Sequence, residues 1–296
     1  MTGLKPNTRA VITGASTGIG RAIAVQLAKE YSGKMILNAR GKDDLNRAAD
    51  LVAKAGGEAH CIAGDVAEKG MAAKLVEACK EKFGGIDILV NNAGLARSGP
   101  MPSLSVDDWR YVFEVNFFAS LEMVYGVLPE FMAQGHGKIV NVASVAGKVS
   151  FPGSVCYASS KFAMTGLSEG MAAEFAGKVD VITVCPGWVR TDFFKRNKLA
   201  EDPTIIAKEN TVRGWMMRNV LSISSEQASN DIVKAMAKGG SHEIVLTAPG
   251  IMVERMAALF PNLTFYLSSL VPADRGKIRR NVGSETESKS TDGTSV

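Results

Sequence analysis

Residues Arg9–Thr13 (RAVIT) make a short apolar run that leads straight into Thr13-Gly14-Ala15-Ser16-Thr17-Gly18-Ile19-Gly20. Beyond the glycines, Ile19, Ile23 and Leu27 recur at helical spacing with alanines between them. A strand, a glycine turn and a helix in one unit is the arrangement that binds a dinucleotide. Gly14 permits the tight turn, Gly18 lets backbone approach a pyrophosphate, and Gly20 allows close helix packing. The helix start offers N–H groups and a positive dipole to the phosphates, with Ser16, Thr17 and Ile19 in the same turn. The spacing is G-x-x-x-G-x-G rather than G-x-G-x-x-G.

A second strand, Lys34–Ala39, ends in Asn38-Ala39-Arg40-Gly41-Lys42. A site for NAD wants a carboxylate there to hold the ribose hydroxyls. With no acid to repel a phosphate, and with Arg40 able to pair with one, NADP is the expected cofactor. A helix over Lys42–Ala55 and a strand over Glu58–Ala63 lead to Asp65-Val66, where a carboxylate could meet an adenine amino group. A helix over Glu68–Phe83 precedes a strand over Ile86–Val90, which ends in Asn91-Asn92-Ala93-Gly94. Small residues at a strand's carboxyl end let a flat cofactor lie against backbone. Trp109–Leu128 reads as a long apolar helix holding Asn116. That amide needs partners: either it bends the helix and orders a water near Lys161, or it is a satisfied core amide.

The strand Lys138–Ala143 (KIVNVA) ends at Ser144, and Tyr157 and Lys161 follow on a helix, four apart and so on one face. A hydroxyl facing a phenol and an ammonium can do proton chemistry on a carbonyl or alcohol. A free tyrosine titrates at roughly 10, and an adjacent ammonium is expected to pull Tyr157 toward neutrality. A strand over Val179–Val184 is followed by Cys185-Pro186-Gly187-Trp188-Val189-Arg190-Thr191, which turns the chain over the sheet's edge and presents Thr191 to a carboxamide. Strands alternating with helices along the chain predict an α/β fold: a Rossmann-type, doubly wound parallel sheet of about seven strands with helices on both faces.

Composition narrows the classes. The 296 residues are 46% hydrophobic, enough for a sizeable core, and a net charge of +4 with no basic stripe argues against nucleic acid. Cys61, Cys79, Cys156 and Cys185 lack metal spacing and read as reduced core thiols. With the histidines scattered singly, no metal site is expected. The N-terminus lacks a secretory apolar stretch, so a cytoplasmic location is expected.

The set TGASTGIG, Asp65, NNAG, Asn116, Ser144, Tyr157-x-x-x-Lys161 and Pro186-Gly187…Thr191 resembles the short-chain dehydrogenase/reductase family in order and spacing, over about 9–246. The resemblance implies reversible hydride transfer between a nicotinamide and a carbonyl or alcohol. It implies a tetrad in which Tyr157 is the general acid in reduction, Lys161 lowers its pKa and binds the nicotinamide ribose, Ser144 polarises the carbonyl, and Asn116 holds a water feeding protons through Lys161. It extends cofactor contacts to Asp65, Val66, Asn92, Ala93, Gly94, Pro186, Gly187, Val189 and Thr191. NADP-preferring members similarly carry Ala-Arg after the second strand. Many also carry a basic residue in the glycine turn, where this chain has Ser16 or Thr17. Family members commonly form dimers or tetramers, so a homodimer or homotetramer is expected.

Residues 188–221 occupy the place of a substrate lid, with Trp188, Phe193, Phe194, Trp215, Met216 and Met217. These either line a pocket for an apolar ligand or pack the lid on the core. Lys195, Arg196, Lys198, Arg213 and Arg218 share the stretch. Trp188, Phe193, Phe194 and Ser144 are the candidate substrate contacts. Residues 1–250 are expected to form one catalytic domain. Residues 251–281 follow as an apolar and basic helical extension, two short helices hinged at Pro261, and 282–296 as a disordered tail. Pro261 and two charges argue against a spanning helix, leaving a membrane interface, a partner subunit or the domain's own core as the extension's contact. The segment resembles the apolar C-terminal piece of family members that reduce steroids and lipids. The expected activity is NADP-dependent reduction of a hydrophobic ketone or aldehyde of steroid, retinoid or lipid type. A 3-oxoacyl reductase is the alternative, and a non-catalytic NADP sensor is the alternative of another class.

Overall fold

The computed structural model describes residues 3–191, 193 and 221–270. Phe194, the expected lid residues 195–220, and 271–296 lie outside the described residues. The strands are β1 (Arg9–Thr13), β2 (Lys34–Ala39), β3 (Glu58–Ala63), β4 (Ile88–Asn91), β5 (Lys138–Val142), β6 (Asp180–Pro186), β7 (Val189–Arg190), β8 (Ile223–Ser224) and β9 (His242–Leu246). The helices are α1 (Gly18–Tyr31), α2 (Lys42–Lys54), α3 (Met71–Phe83), α4 (Val106–Phe113), α5 (Ala119–Gln134), α6 (Val155–Glu174), α7 (Ser225–Lys238), α8 (Ala248–Leu259) and α9 (Pro261–Ser269).

Seven strands form one parallel sheet in the order β3-β2-β1-β4-β5-β6-β9, while β7 and β8 pair with each other. The central strands are apolar almost throughout because helices cover both faces. Along β1, Ala10 and Ile12 point to one side and meet Ile23, Leu27, Leu45, Ile232 and Met236. Val11 points to the other and joins Leu75, Cys79, Val127 and Phe131. Each fully buried large aliphatic side chain contributes about 1.5–3 kcal/mol, so burial on two sides holds these short strands. The chain reverses its direction of sheet growth between β1 and β4, and in such sheets ligands bind beyond the strand ends at that point.

Several boundaries move from their expected places for local reasons. The helix expected from Glu68 begins at Met71, because Gly70 sits at φ +84 and interrupts it. The expected strand over Ile86–Val90 is a ladder over Ile88–Asn91, whose pairing begins at Ala10 with Ile88. The helix expected over Trp109–Leu128 spans Val106 to Gln134 in three pieces, α4, a π-helical turn over Glu114–Phe118, and α5. Its start is fixed by a capping box: Ser105 Oγ accepts from the Asp108 N–H, and the Asp108 carboxylate accepts from the Ser105 N–H. This run is long and apolar enough to suit a membrane span, yet Met123, Val124, Val127 and Phe131 are buried in the core beside α3. The C-terminal hinge falls where expected, with Pro261 opening α9, a position where its missing N–H costs no helix bond.

Candidate active site

The ends of β1 and β4 are tied together at the switch point. Thr13 Oγ1 accepts from the N–H groups of Asn92 and Ala93 at 3.1 Å, and Asn92 Nδ2 donates to Thr13 O and Gly14 O at 3.0 Å. Gly14 has φ +62, and a Cβ on it would lie 2.8 Å from Asn92 Nδ2 and 2.9 Å from Ala93 Cα. Only glycine fits this crossing. The turn continues through buried Ser16 and half-exposed Thr17 into α1, whose first residues are Gly18, Ile19 and Gly20. Thr17 makes no side-chain cap hydrogen bond, and the first turn of α1 holds no acid. Contrast α7, closed by a Ser224–Gln227 capping box. The leading N–H groups of α1 therefore suit an anion.

Arg40 is exposed, one residue past β2. Asn38 is buried, and its amide donates to Ile62 O and Gly64 O, so the strand's end carries no carboxylate and its one amide is engaged. Asp65 Oδ1 accepts from the Ala67 N–H at 3.1 Å, which shapes its own turn. The Val66 side chain is buried with Leu95, Val112 and Cys156. Pro186 closes β6, and the Gly187 N–H donates to Leu246 O at 3.1 Å. Val189 is buried in β7, and the Thr191 methyl lies 3.1 Å from where a Cβ on Gly18 would stand.

Ser144 follows β5, and its Oγ accepts from the Ala146 N–H at 3.1 Å, opening a 3-10 turn over Val145–Gly147. That turn lies directly on α6: a Cβ on Gly147 would fall 2.6 Å from Lys161 O. Thr165 Oγ1 donates to Gly147 O from the next turn of α6. The Ser144 hydroxyl on this turn lies close enough to the Tyr157 phenol to pull its titration downward. Lys161 is 4% exposed, its Nζ donates to Val142 O at 2.9 Å, and it stands 5.8 Å from the centre of the Tyr157 ring. Phe193 lies beside that ring, centroids 6.1 Å apart, while Trp188 is about half exposed.

The electrostatics correct one expectation. Burial pushes the Tyr157 phenol up to about 12, against a smaller downward pull from the Ser144 hydroxyl. The expected pull of the ammonium toward neutrality is not among the influences on the phenol: loss of water dominates, and the buried Cys185 thiol adds to the rise. Burial also lowers Lys161 from 10.5 to about 8.

Asn116 sits in the π-helical turn, fully buried. Its Oδ1 accepts from the Leu95 N–H at 2.8 Å, and its Nδ2 donates to Leu95 O and Ser160 Oγ at 2.9 Å. Ser160 in turn donates to Tyr157 O. The side chain is thus a satisfied core amide, and the helix does depart from α geometry around it. A Cβ on Gly94 would lie 3.3 Å from Asn116 Oδ1 and 3.5 Å from Lys161 Nζ, so the two polar groups meet at that backbone.

Ser160, Gly147 and Thr165 escaped the sequence reading; the small-residue pairs Ala146-Gly147 and Ser159-Ser160 were the available signal. Burial pushes the Cys185 thiol up to about 12 and raises Cys156, in keeping with packed thiols. A groove of about 600 Å³ between β3 and α3, lined by His60, Lys74 and Glu77, belongs to the sheet's far edge rather than to this corner.

The glycine crossing, the uncapped start of α1 and the buried ammonium near Gly94 fit a dinucleotide at this corner. The family described as short chain dehydrogenase matches residues 8–202. Oxidoreductase UcpA of Escherichia coli (strain K12) is 35% identical over 205 residues, 68% of this chain and 77% of UcpA. The 3-oxoacyl-[acyl-carrier-protein] reductase FabG of Staphylococcus epidermidis is 31% identical over 197 residues, 66% of this chain and 80% of that protein. A short chain dehydrogenase/reductase from Burkholderia phymatum, solved in complex with NAD, superposes with a TM-score of 0.76 at 27% identity, covering 89% of this chain and 96% of its own. The chain belongs to the short-chain dehydrogenase/reductase family, and is an oxidoreductase of CH–OH and carbonyl groups that uses a nicotinamide cofactor.

Proposed function

We propose that this protein interconverts a ketone or aldehyde and its alcohol on a hydrophobic substrate, with NADP(H) as cofactor. The observation that carries the reading is the meeting of the Ser144 hydroxyl, the Tyr157 phenol and the Lys161 ammonium beside the glycine crossing. When bound, the nicotinamide supplies or accepts the hydride. Ser144 holds the substrate oxygen by a hydrogen bond, and Tyr157 gives it a proton in reduction. A phenol raised to about 12 is protonated at neutral pH, the state an acid must start from. Lys161 places a positive charge where the phenolate forms, and Asn116, through Ser160, fixes the α6 backbone at Tyr157. Glycine-turn residues Gly14 to Gly20, with Asp65, Val66, Asn92, Ala93, Gly94, Pro186, Gly187, Val189 and Thr191, are the proposed cofactor contacts.

Arg40, with no acid at the end of β2, supports NADP over NAD. Phe193 beside Tyr157 and the half-exposed Trp188 support an apolar substrate of lipid, steroid or retinoid type. The exposed apolar surface of α8 and α9 supports peripheral membrane contact through 251–281. Likeness to FabG favours a second reading, reduction of a 3-oxoacyl thioester.

Tyr157→Phe tests the mechanism. Turnover of NADPH with a ketone panel should fall at least about 100-fold, the scale of general acid catalysis, with cofactor affinity retained. Turnover at the parent rate would remove Tyr157 from the reaction. A panel that separates 3-oxoacyl thioesters from long-chain ketones distinguishes the two substrate readings.

A further inference from the structure

Apolar side chains on α8 and α9 face outward rather than into the core. Met252, Leu259, Phe260, Phe265, Tyr266 and Leu270 are 58–72% exposed, whereas Gly250 and Thr264 are the buried residues of these helices. Exposed apolar surface of this kind marks a contact with something apolar. From 256 to 270 the sequence has no charged residue, and Arg275, Lys277, Arg279 and Arg280 follow against the single acid Asp274. An apolar face succeeded by cations complements an anionic bilayer better than a second copy of itself, which would bring like charges together. At 1.5 Å per residue, the 12 residues of α8 reach about 18 Å and the 9 of α9 about 14 Å, too short for a hydrocarbon core of about 30 Å. Neither helix alone can cross such a core, and each is long enough to lie in an interface.

The root of this helix pair is the second observation. A Cβ on Gly250 would lie 3.0 Å from Val145 Cγ2, so the first turn of α8 rests on the turn that carries Ser144. Thr247, at φ +79, bends the chain from β9 into α8, and its Oγ1 accepts from the Gly250 N–H. Gly187 crosses against the same threonine, with its N–H on Leu246 O. The helix pair is thus an outgrowth of the wall beside the proposed catalytic serine.

We infer that α8 and α9 lay this wall on an anionic membrane, so that the protein takes its carbonyl or alcohol substrate from the lipid phase: a long-chain, membrane-dissolved compound rather than a water-soluble one. The inference rests on the proposed reductase reading for its substrate class, but its docking arm is independent of catalysis.

The full-length protein is sedimented with vesicles of 70:30 phosphatidylcholine:phosphatidylglycerol and of phosphatidylcholine alone, and hydrogen exchange is followed on the bound fraction. Binding should be at least 10-fold stronger to the anionic vesicles. It should fall at least 10-fold in Phe265→Asp/Tyr266→Asp, a variant that alters only exposed side chains. Amides of 145–149 and 248–269 should gain protection together on vesicles, and those of β3 should not. NADPH oxidation with 2-tridecanone should follow its mole fraction in the vesicles rather than its bulk concentration, whereas the variant should reduce 2-butanone in buffer at the parent rate. Absent vesicle binding overturns the inference, as does protection of 248–269 without 145–149. Self-association abolished by the variant, with no vesicle binding, assigns the face to a second copy and also overturns it. Vesicle binding with neither ketone reduced leaves docking standing and removes the lipid-phase substrate.

Discussion

Lys161 carries its ammonium in a buried place, donating to Val142 O. Its shift from 10.5 to about 8 corresponds to a cost of roughly 3 kcal/mol for keeping the charge at neutral pH. A folded-state pKa below the unfolded value means that stability rises with pH between the two, because the unfolded chain holds more protons there. Lys161→Met should therefore stabilise the cofactor-free protein at pH 7 by about 2 kcal/mol, after roughly 1 kcal/mol is lost from the unpaired Val142 carbonyl. That advantage should be full below pH 8 and disappear by pH 10.5, read by urea denaturation across the range. An advantage independent of pH would show that the ammonium carries no burial cost. Arg40 gives a second prediction: Arg40→Ala should weaken NADPH at least about 10-fold and NADH less than twofold, the loss of one charge-assisted phosphate contact, measured by titration calorimetry. Equal losses would take Arg40 out of cofactor choice. Tyr157, Lys161 and Arg40 were visible in the sequence because spacing on one helix and position after one strand are linear properties. The direction of the Tyr157 shift was not, because desolvation depends on what the rest of the chain packs around the phenol.

Among the elements, the 3-10 turn after β5 shows how backbone contact positions a side chain. Gly147 lies so close to Lys161 O that any Cβ must lift the turn from α6, and Ser144 rides on that turn. Gly147→Ala should cost about 1–3 kcal/mol of stability, the range for overpacking, and lower kcat at least about 10-fold. The thermal shift given by NADPH should stay as in the parent, since the glycine crossing is elsewhere. An unaltered kcat would mean that the turn does not set the serine. Six of the seven sheet strands were legible because burial between helices leaves apolar runs, whereas β9, an edge strand with only Leu246 buried, was given no place. The sequence reading could not find β7 and β8, whose two-residue ladder comes from tertiary pairing, nor the π-helical turn, which has helical periodicity on either side. The Ser105–Asp108 capping box was legible in Ser-Val-Asp-Asp, and would have moved the start of α4 to Val106.

Taken as a molecule, the chain separates into a parallel sheet core built of strand-helix-strand crossovers and a C-terminal helix pair that the core scarcely covers. The crossovers made the fold class readable, because apolar strand runs alternate with helical periodicity along the chain. The helix pair's partner was not readable from the same pattern, since an apolar run reads alike whether it packs inward or outward; exposure separates the two. We propose that the catalytic domain ends at Gly250, a residue by which α8 touches the serine turn. A chain ending at Gly250 should keep its unfolding cooperative and its melting temperature within about 2 °C of the full-length protein, because removing mostly exposed side chains changes stability by about 0.5 kcal/mol or less. Calorimetry on both chains decides the matter. A drop of about 10 °C or more, or a broadened transition, would place the helix pair inside the domain's cooperative unit, and its apolar residues would then have to be explained as core.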